Sequence, residues 1–489
     1  FTLMTHIKFF DILKSNRKDT NYLLHRLANS IVIIDELQAY NPDHWDKIKY
    51  FIAQYAELFN IRFVIMSATL PKIDEIKLAS DSPEAFKPFK SLIPDAKKYL
   101  QNCNFAERVK IKTDLLEKPI EMSALADIVF KKSKEFALSR EDDYKGSVYT
   151  IVEFIFKRSA SDFHQEVMQK ELFFDDIFVL SGTILEPRRK YIIEFLKDEK
   201  NRKKKILLIT TQVVEAGVDI DMDLGFKNQS ILDSDEQLAG RINRNVKKKN
   251  CELYLFKSDR PKSIYGKDWR YDVTEKDIST EEIKDILTKK DFEKLYNKVF
   301  VEISKYNDSP IEMGTFSEYL SNFKRIDFNG VHKDFKLIDS ENANIFVPID
   351  VDIQCYKTTN SKGKTVIENN FSDDEVRFIT KNKCRNEKGQ VSGESIWGLH
   401  DLYVTDSTKR FSIEAKILNG IMSKFVFSVY MQKFDELFEF LEDPPTDNES
   451  RFKQYFKLRK DSLKEIYSIE GGINESKLKE ITGKTYDFI

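Results

Sequence analysis

Hydrophobic positions recur along this chain in two patterns. The first is a short apolar run that stops abruptly at charge or hydroxyls: Ile31 to Ile34 before Asp35 and Glu36, and Phe63 to Met66 before Ser67, Ala68 and Thr69. A run apolar on both faces predicts a buried strand of a parallel sheet covered by helices. The second pattern lies between these runs. Trp45, Ile48, Ile52, Tyr55 and Phe59 form a single helical stripe. Asn41 and Pro42 predict the turn before that helix, Asp43 its N-cap and Asn60 its stop. The order is therefore strand, Asp-Glu, helix, strand, Ser-Ala-Thr.

The same grammar restarts near residue 147. SVYTIVEFIF (147–156) and DDIFVLSGTI (175–184) read as strands, and PRRKYIIEFLKDEKN (187–201) as a helix with Pro187 in its first turn. KILLITTQVVEAGVDIDMDLGF (205–226) is a buried strand that runs into a glycine-containing loop and an acidic turn. DEQLAGRINRN (235–245), read as a helix, places Gln237, Arg241 and Arg244 on one face. SDSPEAF (80–86) and SREDDYKG (139–146) are polar breaks. Residues 256–330 carry polar helical patterns. Beyond about 331, ANIFVPIDVDIQCY and KRFSIEAKIL suggest strands. DPPTDN (443–448) reads as a loop, and RFKQYFKLRK (451–460) interleaves basic and aromatic residues, as a nucleic-acid grip or an amphipathic helix would. NRKKK (201–205) and NVKKKN (245–250) read as solvated charge runs.

Composition narrows the class. The 489 residues are 41% hydrophobic and 33% charged, with a net charge of −2, so a nucleic-acid surface must be local rather than global. The four cysteines form no CxxC pair, which argues against zinc and against a disulfide framework and for a reduced, cytoplasmic protein. No apolar run approaches the ~18 residues of a membrane span, and no leader is visible. The chain begins at Phe1 rather than Met, which suggests that the start of a longer protein is missing.

Adjacent carboxylates at a strand tip suit nucleotide hydrolysis. One can hold magnesium and its waters, and the other can orient or deprotonate the attacking water. A solvated strand end is the plainer alternative for this pair by itself. The order DELQ (35–38), SAT (67–69), TTQVVEAGVDID (210–221) and QLAGRINR (237–244) resembles motifs II, III, V and VI of superfamily 2 helicases. The wording of LANSIVIIDELQAY, VIMSATLP and TQVVEAGVDIDMDLGF is similar to the CRISPR-associated helicase family of type I systems, over about residues 1–255.

This resemblance implies an α/β fold with two RecA-like parallel-sheet lobes, the first incomplete, and a C-terminal α+β accessory domain. Its boundaries would be 1–105 for the first lobe, 106–146 for a connector, 147–255 for the second lobe, 256–330 for a helical linker and 331–489 for the accessory domain. It implies ATP and Mg2+ as cofactors, with Asp35 on the metal and Glu36 activating water. Ser67 and Thr69 would couple the nucleotide state to DNA grip. Gly217 and Asp219 would contact nucleotide. Arg241 and Arg244 would be arginine fingers beside Gln237. Thr5, Thr183, Arg189, Thr211 and Gln212 would lie along the DNA, with His6 near Thr5. The implied partners are single-stranded DNA, an RNA-guided CRISPR surveillance complex, and an HD nuclease domain fused upstream or encoded separately.

Three departures qualify the resemblance. GxxxxGK[ST] occurs nowhere in the chain; GKT at 363–365 and 483–485 has Thr358 and Leu478 where the first glycine belongs. ATP binding by this chain alone is therefore expected to be weak, as in a fragment or a split or truncated gene product. The six histidines are scattered, so His400-Asp401 is a poor metal site and nuclease activity does not follow. Leu238 stands where the family usually has arginine. Two other readings stay open: an RNA helicase or restriction-type translocase, and a non-enzymatic module that binds DNA or the surveillance complex.

Overall fold

A computed structural model describes residues 2–77, 88–100, 102, 108–170, 172–215, 217–309, 315–337, 342–359, 365–406, 412–444, 454–483 and 488. The break at 80–86, Ala216, most of DPPTDN, the first three residues of RFKQYFKLRK and parts of both GKT stretches lie outside the described residues. The chain divides into two units. The first comprises Phe1–Leu116, Gln229–Glu236 and Arg260–Asp339, and the second Glu117–Asn228, Gln237–Asp259 and Ser340–Ile489. The helical region 260–339 thus groups with the first apolar runs, and the region beyond 340 with the second parallel sheet.

In the first unit, β1 (Ile31–Asp35) and β2 (Arg62–Met66) pair in parallel, in register from Ile31 opposite Arg62 to Asp35 opposite Met66. Parallel neighbours need a crossover, here the helix Trp45–Leu58. Its Trp45, Ile48, Phe51 and Ile52 are buried. Phe51 packs against Tyr319, Phe323 and Phe335, so the later helices build this core. Asn60, in left-handed conformation, follows the helix, and its amide donates to Asn29 Oδ1 at 2.8 Å. Asp43 is not the N-cap. Asn41 caps a 3-10 turn over Pro42–His44, accepting from the Asp43 amide, and the helix proper starts at Trp45. Nor is β1 buried on both faces: Ile31 and Ile33 are 68% and 62% exposed, and Ile34 is the buried member. A strand Lys110–Leu115 (β3) also belongs to this stretch of chain.

The second unit holds five strands of one sheet. They are β4 (Val148–Glu153), β5 (Asp176–Leu180), β6 (Lys205–Thr210), β7 (Leu224–Asn228) and β8 (Glu252–Phe256). The order is β8-β7-β4-β6-β5, and these strands pair in parallel. Every residue of β4 and β7 is buried, the environment their β-branched and aromatic residues predict. Helices Lys157–Met168 and Glu186–Lys197 carry the crossovers from β4 to β5 and from β5 to β6. Successive connections run to one side from β4 and to the other from β6, and in such sheets ligands bind outside the carboxyl ends of the strands at that switch. Loop 211–221 leaves β6 there.

Beyond residue 340, Asn342–Phe346 pairs antiparallel with Val426–Tyr430 and parallel with Phe456–Lys457. Helices pack beside this small sheet over two apolar clusters, an α+β arrangement. The described part of KRFSIEAKIL, from Ser412 on, is not a strand. Ser412 caps a helix over Ile413–Met422 by accepting from the Ala415 amide, and Ala415, Leu418, Ile421 and Met422 form its buried face. A helical cap and stripe overrode its local β propensity.

Candidate functional site

Asp35 is the last residue of β1 and Glu36 follows in left-handed backbone conformation, φ +56°. That conformation is rare outside glycine, asparagine and aspartate. It turns the chain sharply, so both carboxylates stay exposed while Leu37 and Gln38 go into the core. Asp35 Oδ1 accepts from the Glu36 amide at 2.9 Å. A carboxylate with its other oxygen free at a strand tip fits magnesium, which binds through one or two carboxylates, retained waters and phosphate oxygens. Among the described residues no group of three or more His, Cys, Asp or Glu side chains forms a metal cage.

A relay of hydrogen bonds connects the Asp-Glu turn to the Ser-Ala-Thr turn. The Gln38 amide donates to Glu36 Oε2, the Ser67 hydroxyl donates to Gln38 Oε1, and the Thr69 amide donates to Ser67 Oγ at 3.1 Å. The relay continues into residues that the sequence reading missed. Thr69 Oγ1 donates to Asp233 Oδ1 at 2.6 Å, and the Tyr296 hydroxyl is shared between Asp233 Oδ1 and the Thr69 carbonyl. Arg270 Nη1 donates to the Gln38 carbonyl at 2.6 Å, lies 3.5 Å from Asp233 Oδ2, and its fork is held by Asp268 at 3.0 and 2.6 Å. Burial raises the Asp233 pKa, against the pull of Arg270. His6 lies beside this turn, its ring 5.0 Å from that of Tyr40. Burial lowers the His6 pKa despite Asp35 and Glu36. Thr5 caps the helix His6–Lys14, accepting from the Lys8 amide at 3.3 Å.

In the second unit, Gln237, Arg241 and Arg244 do not share a helix. Helix Leu232–Ala239 ends before Arg241, and Ile242 forms a bridge to Met222. The bridge is possible because Gly225 leaves room for Ile242; a Cβ there would lie 2.3 Å from the Ile242 side chain. Leu238 is fully buried, so the residue in the family's arginine position serves the core here. Arg241 donates to the carbonyls of Val214 and Glu215, at 3.1 Å for Val214, and so grips loop 211–221. Arg244 pairs with Asp219 at 3.0 Å, joining two residues assigned to nucleotide. Gly217 has φ +70° and open space at its Cα.

The residues assigned to DNA are placed as follows. Thr5 is exposed. Thr183 is buried, with its hydroxyl accepting from the Ile473 amide at 3.2 Å. Thr211 is buried, with its hydroxyl finding no partner among the described residues. Arg189 is partly buried, which lowers its guanidinium pKa. Gln212 is partly buried. The charge runs are not simply solvated. Lys248 sits 2.8 Å from Asp221 and 2.9 Å from Asp223, and Arg202 lies over the Tyr149 ring at 4.3 Å.

Comparison with known proteins gives three findings. Residues 157–247 match the family model for the C-terminal part of the CRISPR-associated nuclease/helicase Cas3. A CRISPR-associated nuclease/helicase Cas3 from Methanothermobacter thermautotrophicus is 27% identical over 217 residues, which are 44% of this chain and 24% of that protein. T. fusca Cas3 with AMPPNP shares the fold at TM-score 0.52 and 14% identity, over 93% of this chain and 53% of that one. T. fusca Cas3 with ADP gives the same values. The chain thus spans about a quarter of the curated relative and about half of each solved chain. The matched segment and the curated protein show that this chain is similar in sequence to the CRISPR-associated nuclease/helicase Cas3, and the solved chains show that it shares their fold.

Proposed function

We propose that this chain carries the hydrolytic and coupling residues of an ATP-dependent single-stranded-DNA translocase in type I CRISPR interference. It would act in the cytoplasm with an RNA-guided surveillance complex and an HD nuclease. The observation that supports this best is the relay from Glu36 through Gln38 to Ser67 and Thr69, which joins a hydrolysis-type carboxylate to a second loop. Glu36 accepts the proton of the attacking water, and Gln38 holds its carboxylate in orientation. Asp35 would hold magnesium, whose charge would stabilise the transferring phosphoryl group. Arg241 must exchange its carbonyl partners for phosphate to act as a finger, so loop 211–221 senses the exchange. Thr5, Arg189 and Gln212 offer exposed or half-buried polar groups for DNA contact, each within its own unit, whereas Thr183 and Thr211 are buried and would have to be uncovered to reach it. No described helix is long and apolar enough to cross a membrane.

The missing GxxxxGK[ST] pattern favours a second reading, a module that binds DNA or the surveillance complex without hydrolysis. DNA-stimulated ATP hydrolysis decides between them, measured on this chain, on the product of the complete reading frame, and on Glu36→Gln in that product. Hydrolysis that Glu36→Gln abolishes supports the motor. DNA binding with no hydrolysis in any form overturns it in favour of the module.

A further inference from the structure

The contacts around Thr69 close into a ring. From Gln38, the path runs through Ser67 to Thr69, from Thr69 Oγ1 to Asp233, from Asp233 to Arg270, and from Arg270 back to the Gln38 carbonyl. Tyr296 braces it from inside, its one hydroxyl proton shared between Asp233 and the Thr69 carbonyl. Gln38, Thr69, Asp233, Arg270 and Tyr296 are all buried. Only one member, Gln38, touches the exposed Glu36 carboxylate.

From this closed ring we infer that Asp233, Arg270 and Tyr296 are positioning residues that hold Gln38, and through it Glu36, in the orientation for activating water. The inference rests on the hydrolytic reading above. Its physical basis is that the hydrogen bonds joining Gln38, Ser67, Thr69, Asp233 and Tyr296 are buried or half-buried, so rotating one side chain orphans another, while Arg270 closes the ring on Asp233 Oδ2 as a 3.5 Å ion pair without a hydrogen bond. A surface carboxylate on a left-handed turn lacks such restraint. Gln38 supplies it, because its backbone carbonyl is fixed by Arg270 while its amide fixes Glu36. Arg270 suits the role better than lysine would, since its planar fork meets Asp268 with two nitrogens and still directs Nη1 at both Gln38 and Asp233.

Tyr296→Phe is the test, because it removes one hydroxyl and keeps the ring packing against Trp45 and Phe300. Thr69→Val, which deletes the opposing hydroxyl, is the second variant. In this chain, amide hydrogen exchange at Leu37–Ala39 and Ser67–Thr69 is expected to quicken about tenfold in Tyr296→Phe, with the melting temperature lowered by only a few degrees. The double variant adds little beyond either single one, because both break the same ring. In the complete reading-frame product, kcat for DNA-stimulated hydrolysis falls about tenfold with KM for ATP unchanged. Unchanged exchange in both single variants, strictly additive effects, or a KM change at constant kcat would each overturn the inference. Glu36→Gln separates the two ideas. If hydrolysis survives that substitution, the hydrolytic reading fails and the ring is judged on exchange; if it is lost while Tyr296→Phe hydrolyses normally, only the positioning inference fails.

Discussion

Two glutamates stand at the carboxyl ends of parallel strands, one just after β1 and one as the last residue of β4, and they have opposite surroundings. Glu36 follows β1 and stands in solvent, while Glu153 ends β4 and is buried against Lys227. Lys227 also meets Glu215 of loop 211–221 at 2.9 Å. Burial raises the Glu153 pKa well above the ordinary carboxylate range, against the pull of Lys227. At one tip the carboxylate is free to meet a ligand; at the other it is part of the scaffold that holds a loop. Position at the carboxyl end of a parallel strand therefore does not by itself make a catalytic acid. For the general-base role proposed for Glu36, access to solvent is also required, with a partner such as Gln38 that orients the group without neutralising it.

The largest expected effect breaks this comparison on the catalytic side. Glu36→Gln lowers DNA-stimulated ATP hydrolysis of the complete reading-frame product by roughly 10²–10⁴-fold, the usual share of a general base. A thermal melt of the same variant is expected to match the parent, because Glu36 is exposed. Lys227→Met tests the other tip. It strands the Glu153 and Glu215 carboxylates and costs about 3–5 kcal/mol of stability, read as a lower urea midpoint at pH 7.

A third carboxylate sharpens the contrast through pH. Burial pushes Asp43 up to about 6, partly opposed by its hydrogen bond from Trp269. The folded state thus keeps a proton that the unfolded chain has already lost. This stabilising contribution is complete below about pH 4 and disappears as pH rises to about 6. Asp43→Asn, which cannot ionise, should gain about 2–3 kcal/mol relative to the parent between pH 4 and pH 7, measured by urea titration at both values. The smallest effect is expected on the open face of β1. Ile33→Thr on the open face of β1 changes stability by about 0.5 kcal/mol or less, whereas Ile209→Ala in buried β6 costs about 2–5 kcal/mol. Equal losses at the two sites would show that β1 is covered in solution.

Much of the parallel-sheet framework was legible because it depends on local pattern. The runs at 31–34, 63–66, 148–153 and 205–210 form strands, and the stripe from Trp45 gives the crossover helix. The placement of Glu36 and Ser67 at loop starts followed from those strand ends. Three features went unread for definable reasons. GRINR has the composition of a helix, yet the bridge from Ile242 to Met222 competes with helical hydrogen bonds and wins. Lys248 lies in a run of like charges, yet Asp221 and Asp223 fold onto it. Arg270 and Tyr296 sit in unremarkable polar helices some 200 residues from the loops they hold.

What the sequence by itself determined, then, is periodicity and order: which segments are strands or helices, and which polar residues stand where the apolar runs stop. These depend on neighbours within a few residues, where side-chain alternation and capping act. The tertiary structure alone decided burial and partnership: that Glu36 is wet and Glu153 dry, that β1 keeps an open face, and that Asp233 and Arg270 close a ring on Thr69 and Gln38. Exposure and pairing depend on which distant segments pack together, and a linear pattern of apolar and polar residues carries no record of that packing.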